Sequence, residues 1–194
     1  MSLANLRTPV HLESYFMRVN DGITRILQRP EKNEIAFDIL DSDQDVTNAL
    51  QCLKTKHRQM KYGEIWQVVI GEYPSFQNLK VGHPSGLDIL SEDRKIIMEL
   101  KNRYNTDNAS SRETNMKKLV KFKRDHPEYI CIYGLINDKK LEGQIKSVTF
   151  EETEITFYSG QCLFNFIFGD DTTCILEFVK KTMRDVSTST AHLT

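Results

Sequence analysis

The 194-residue chain has no apolar run approaching the roughly 20 residues that span a bilayer. Its N-terminus also lacks the charged-then-apolar layout of an export signal, so a soluble, cytoplasmic protein is expected. Cysteine is sparse: Cys52, Cys131, Cys162 and Cys174 are widely spaced and form no C-x-x-C pair. That spacing argues against a structural zinc site and against a secreted disulfide framework. There is no glycine-rich phosphate loop, no nucleophile-elbow pattern around any serine and no cysteine paired with a histidine. These absences argue against P-loop nucleotide binding and against serine or cysteine nucleophile chemistry.

A strong charge of one sign is also missing. The formal net charge is −1, a weak footprint for a partner of a polyanion. The distribution is uneven, however. Between Arg94 and Arg124, ten Lys and Arg residues face three acids, Glu99, Asp107 and Glu113. A basic face is expected there, with acids such as the Asp38 to Asp45 cluster turned elsewhere.

What the chain does have is enough apolar content, 39 %, to bury one core without staples. One domain over residues 1–186 is expected, followed by a Ser/Thr-rich tail, residues 187–194, with little to pack and expected to be disordered. Leu12, Phe16, Val19, Ile23, Ile26 and Leu27 recur at helical spacing behind a Thr8-Pro9 cap and before Pro30. Residues 34–40 fit either a strand or a helix start. A polar helix follows from about Asp43 to Met60, and Gly63 opens a separate apolar stretch with Ile65, Trp66, Val69 and Ile70. Ser110 or Ser111 caps a helix running to about Asp125, and Tyr129 to Ile136 reads as a strand covered on both faces. Three further strands, Ile145 to Phe150, Glu154 to Tyr158 and Cys162 to Phe168, are expected as a meander before a final helix capped at Asp170-Asp171-Thr172. This alternation predicts an α/β fold with α+β elements: a mixed central sheet flanked by helices, in which a strand–helix–strand crossover makes two strands parallel.

The stretch from Val81 to Arg112 concentrates the chemistry. It reads as a hairpin: a short strand carrying Asp88, a polar turn from Ser91 to Arg94, and a second strand from Lys95 to Leu100. Period-2 alternation puts Ile97, Glu99 and Lys101 on one face and Ile96, Met98 and Leu100 on the other. Two carboxylates and a lysine at one strand edge suit a hard divalent cation such as Mg²⁺, which takes one or two protein carboxylates plus water and phosphate oxygens. The lysine can orient the water that attacks phosphorus. Downstream, Arg103, Asn105, Thr106, Asn108, Ser110, Ser111 and Arg112 supply donors for base edges and phosphates, although an Asx-rich helix cap explains the same letters.

Pro84-Ser85-Gly86-Leu87-Asp88, ten residues, then Glu99-Leu100-Lys101 resembles the PD-(D/E)-x-K nuclease superfamily, with the proline upstream of its usual place. The continuation Glu99-Leu100-Lys101-Asn102, then Asn105-Thr106-Asp107-Asn108-Ala109-Ser110-Ser111, resembles a small group of type II restriction endonucleases. A second acid-and-lysine string, Asp138-Lys139-Lys140, sits in an expected turn with no well-placed upstream aspartate. The resemblance implies a restriction-endonuclease-like fold and Mg²⁺-dependent double-strand cleavage of DNA at a short specific sequence, leaving 5′-phosphates. Asp88, Glu99 and the Leu100 carbonyl would hold the metal. Lys101 would place the water, and Glu64, from the preceding helix, would join the site. A homodimer and a methyltransferase partner in the same cell are implied too. A structure-selective repair or junction nuclease of the same fold, and a non-enzymatic DNA-binding module, remain alternatives.

Overall fold

The computed structural model describes residues 10–30, 43–103 and 109–191. The Thr8-Pro9 cap, the ambiguous segment 34–40, and Asn105, Thr106 and Asn108 lie outside the described residues. A 3₁₀ turn, Val10–Leu12, leads into α1 (Glu13–Gln28), which buries Tyr15, Phe16, Val19, Ile23 and Ile26 along one stripe. Helix α2 spans Asp43–Gly71 without interruption. The expected break at Gly63 is absent: a glycine in a helix interior costs about 1 kcal/mol, less than the packing of Ile65, Val69 and Ile70 returns once they are buried.

Six strands follow, β1 (Gln77–Asn78), β2 (Ile89–Ser91), β3 (Ile96–Arg103), β4 (Ile130–Asn137), β5 (Ile145–Phe150) and β6 (Thr153–Ser159), in the sheet order β1-β2-β3-β4-β6-β5. The predicted crossover is present: β3, helix α3 (Ala109–Asp125) and β4 form a parallel unit. Two apolar clusters sandwich the sheet, as the alternation along β3 requires. Ile96, Met98 and Leu100 pack toward α1, α2 and the C-terminal helices, while Ile97, Cys131 and Tyr133 pack toward Met116, Leu119 and Val120 of α3.

The C-terminal third departs from a meander in two ways. Cys162 to Phe168 is not a strand but lies within helix α4 (Gly160–Phe168). A continuous apolar run reads equally as buried strand or buried helix, and the buried set Leu163, Phe164, Ile167 and Phe168 has helical spacing. The strands also connect differently. Glu151 and Glu152 both take positive φ, 44° and 61°, the geometry of a tight two-residue hairpin. The β5–β6 hairpin then docks through β6, parallel to β4, which leaves β5 at the edge.

Helix α5 (Thr172–Ala191) also runs past the expected start of a tail. Ser187 and Thr188 donate to the carbonyls of Met183 and Arg184 at 2.7 and 2.9 Å, so their hydroxyls bond within the helix. Arg94, in the β2–β3 turn, lies against the rings of Phe76 and Phe166, 5.0 Å from each centroid. Its guanidinium donates to the carbonyls of Phe166 and Ile167 at the end of α4, at 2.9 and 3.2 Å.

Candidate active site at the open end of the hairpin

The β2–β3 ladder pairs Ser91 with Ile96, Leu90 with Ile97 and Ile89 with Met98. Asp88 lies beyond the last pair and slips the register by one residue, its N–H going to Met98 and not to Glu99. Its carboxylate turns toward α2 yet stays near enough to Glu99 to feel that charge. The Asp88 backbone N–H donates to the Met98 carbonyl at 3.0 Å, and the Leu100 N–H donates to Asp88 Oδ2 at 2.7 Å. Equivalent backbone groups two residues apart turn to the same strand edge. The Leu100 carbonyl therefore follows that of Met98 to the Asp88 side, beyond the last β2 pair.

Glu99 is only 4 % exposed. Lys101 Nζ donates to Glu99 Oε1 at 2.8 Å, so the buried carboxylate has a cationic partner. Burial pushes the Asp88 carboxyl up to about 6; the Glu99 charge adds to the rise, and the Leu100 N–H, Lys101 and Lys118 oppose it. Lys118 reaches this region from α3, its side chain lying over Gly86, whose φ of +63° brings the loop beneath it. Its ammonium donates to Asn115 Oδ1 at 3.1 Å.

Glu64 is not brought to the acids. It accepts from Arg29 Nη2 at 2.8 Å on a partly exposed face. Gln67, three residues on, makes the connection from α2 instead, donating to Asp88 Oδ1 at 2.8 Å. The expectation for Glu64 comes from the resemblance, which places a glutamate of the preceding helix in the site. The two are three residues apart, neighbours on one helix face displaced along the axis, and a stretch readable as helix or strand does not fix that position.

Of the expected DNA contacts, Arg103 ends β3, Ser110 and Ser111 lie in the first turn of α3, and the Arg112 guanidinium sits 5.9 Å from the centroid of the Tyr133 ring. His83 stays in its loop, its ring nitrogen 2.8 Å from Ser85 Oγ. Asp138, of the second acid-and-lysine string, binds the Ser159 hydroxyl at 2.6 Å and takes no part in the hairpin site.

Among the described residues no group of three or more His, Cys, Asp or Glu side chains gathers around a point. A closed protein cage for a metal is therefore not built from them. The donor set Asp88, Glu99 and the Leu100 carbonyl does fit a hard cation that completes its shell with water and phosphate oxygens. Each carboxylate oxygen of Asp88 has one bond and retains acceptor capacity for another.

Compared with known families, residues 34–161 match the Eco47II restriction endonuclease family. The chain belongs to that family. The matched region runs from before α2 into the first residues of α4 and contains the whole hairpin. Membership in the Eco47II restriction endonuclease family thus rests on the segment that holds Asp88, Glu99 and Lys101. The type II restriction enzyme Sau96I of Staphylococcus aureus is 26 % identical over 83 residues, 43 % of this chain and 31 % of that enzyme. The chain thus spans about a third of the length of this relative.

Proposed function

We propose that the protein is a type II restriction endonuclease that hydrolyses both strands of DNA at a short specific sequence, with Mg²⁺ as cofactor. The observation that carries this reading is the Asp88 carboxylate, held by the Leu100 N–H at 2.7 Å and within reach of the Glu99 charge, with the Lys101 ammonium 2.8 Å from Glu99. Family membership and the partial match to Sau96I support it.

Asp88, Glu99 and the Leu100 carbonyl would hold the ion, which when bound supplies positive charge to the phosphate oxygens. The chain's own contributions are positional. Gln67 and the Leu100 N–H fix the Asp88 carboxylate in one rotamer. Glu99 holds the Lys101 ammonium at the strand edge, where its remaining N–H groups orient the attacking water and a phosphate oxygen. Water adds to phosphorus and the P–O3′ bond breaks. The attacking water gives one proton to solvent, the 5′-phosphate stays on one fragment, and the departing 3′-oxygen takes a proton from solvent. Arg103, Ser110, Ser111 and Arg112, with Asn105, Thr106 and Asn108 between them in sequence, contact the DNA near the cut. One site per chain and two strands to cut favour a two-fold homodimer on a palindromic target. Host DNA would then need a methyltransferase to protect it.

The test is incubation of phage DNA with Mg²⁺ and either the parent or Lys101→Ala. Discrete bands from the parent and intact DNA from the variant are expected. No cleavage by the parent across several DNAs overturns the reading. Cleavage confined to branched substrates replaces it with a structure-selective nuclease.

A further inference from the structure

The strand registers join Glu99 to Tyr133, Tyr133 to Phe157 and Phe157 to Lys146. Partners in register share a face, because side chains alternate along every strand. Lys146, exposed on the edge strand β5, therefore stands on the same face as Glu99. It is three strand spacings away, roughly 14 Å at about 4.8 Å each. The rings of Tyr133 and Phe157 floor the space between them, nearly parallel at 18° with centroids 6.1 Å apart. Above them is a shallow hollow of about 240 Å³ whose rim carries Lys101, itself paired with Glu99, and Arg103, Arg112 and Lys146, with Asp138 the acid in its lining. That acid is already engaged. It accepts from the Ser159 hydroxyl and the Lys139 N–H, both at 2.6 Å, and from the Gln144 amide at 3.4 Å.

We propose that this hollow binds the sugar–phosphate backbone of one DNA strand, which passes Lys146, crosses beneath Arg112 and reaches the cut at Lys101. The proposal rests on the DNA-cleaving reading above and extends it to β5, a strand outside the hairpin. Four cations around one concavity complement a chain of phosphates, and each phosphate they neutralise releases a condensed counterion. The continuity of the hollow with Lys101 favours DNA over an acidic peptide. Lysine on an edge strand also guards against edge-to-edge pairing, and that role alone leaves DNA affinity untouched.

The experiment measures fluorescence anisotropy of a labelled duplex, with Ca²⁺ in place of Mg²⁺, across a series of salt concentrations. The proteins are the parent, Lys146→Ala, Lys146→Arg, and Lys181→Ala on α5 as a control; circular dichroism checks that each is folded. Loss of one phosphate contact lowers the slope of log K against log salt by about 0.9. That decrease, with weaker binding, is expected for Lys146→Ala. Lys146→Arg and Lys181→Ala are expected to match the parent. Parent-like affinity and slope in Lys146→Ala overturn the proposed path while leaving the nuclease reading intact, provided the parent cuts DNA. A parent that neither binds nor cuts DNA overturns both. Displacement of the duplex by polyglutamate as readily as by unlabelled DNA also overturns the proposal.

Discussion

The side-chain amide of Gln67 donates to Asp88 Oδ1 at 2.8 Å, which ties an acid of the hairpin to a helix in the opposite layer. The bond stabilises the ionised carboxylate. Gln67→Ala is expected to raise the Asp88 pKa further and to move the acid limb of the cleavage-rate profile to higher pH, with kcat reduced about tenfold at pH 7. Single-turnover rates between pH 5 and 9 check this; an unmoved limb would separate Gln67 from the chemistry.

Asp88 also makes the stability of the metal-free protein pH-dependent. Its folded-state pKa is raised from 3.8 to about 6, so between those values the folded state holds more protons than the unfolded one, and stability falls as pH rises through that window. The loss is on the order of 1–2 kcal/mol after allowance for the partial solvent exposure of the site. Asp88→Asn is expected to melt higher than the parent at pH 7.5 in EDTA, to match it near pH 4, and to be inactive. Thermal melts at the two pH values are sufficient to test this.

Lys101 has two roles that substitution separates. Lys101→Ala leaves the carboxylate of Glu99, 4 % exposed, without its cation, a change expected to cost about 3 kcal/mol in stability. Cleavage is expected to fall at least 10²-fold. In Glu99→Gln/Lys101→Met the buried charge is gone, so folding stability returns while activity does not. If activity recovers with stability, Lys101 serves the fold alone.

Two glycines give opposite outcomes. A Cβ at Gly63 meets nothing within 4 Å, so Gly63→Ala is expected to stabilise α2 by about 1 kcal/mol, a rise in Tm of about 2–4 °C. Gly143 has φ +74°, and a Cβ there falls 1.8 Å from the Ser159 carbonyl oxygen. Gly143→Ala is expected to cost more than about 3 kcal/mol, read by denaturant melts.

Much of the hairpin was legible because its signals are local. Alternation from Ile96 to Lys101 assigns each side chain to a face, and the strand–helix–strand order makes β3 and β4 parallel. The missed features depend on partners distant in sequence. Gly63 reads as a break until the core packing around it is known, and Cys162 to Phe168 carries no alternation to distinguish helix from strand. Nothing near Lys146 announces a role, because only the order β4-β6-β5 brings it into the row of Glu99. Glu64 follows from the resemblance alone, whereas the bond of Gln67 to Asp88 depends on how α2 packs on the sheet, which no local pattern carries.

The Arg94 guanidinium, lying against Phe76 and Phe166 and bonded to the last carbonyls of α4, fastens the hairpin at its turn. Asp88 and Glu99 lie at the other end, where β2 stops and the ladder opens. The hairpin is thus pinned at both ends, by Arg94 at the turn and by the Gln67 and Leu100 bonds to Asp88 at the other. A shift of α2 or α4 is therefore felt at the acids, which makes their spacing a property of the helical layer and not of the hairpin alone.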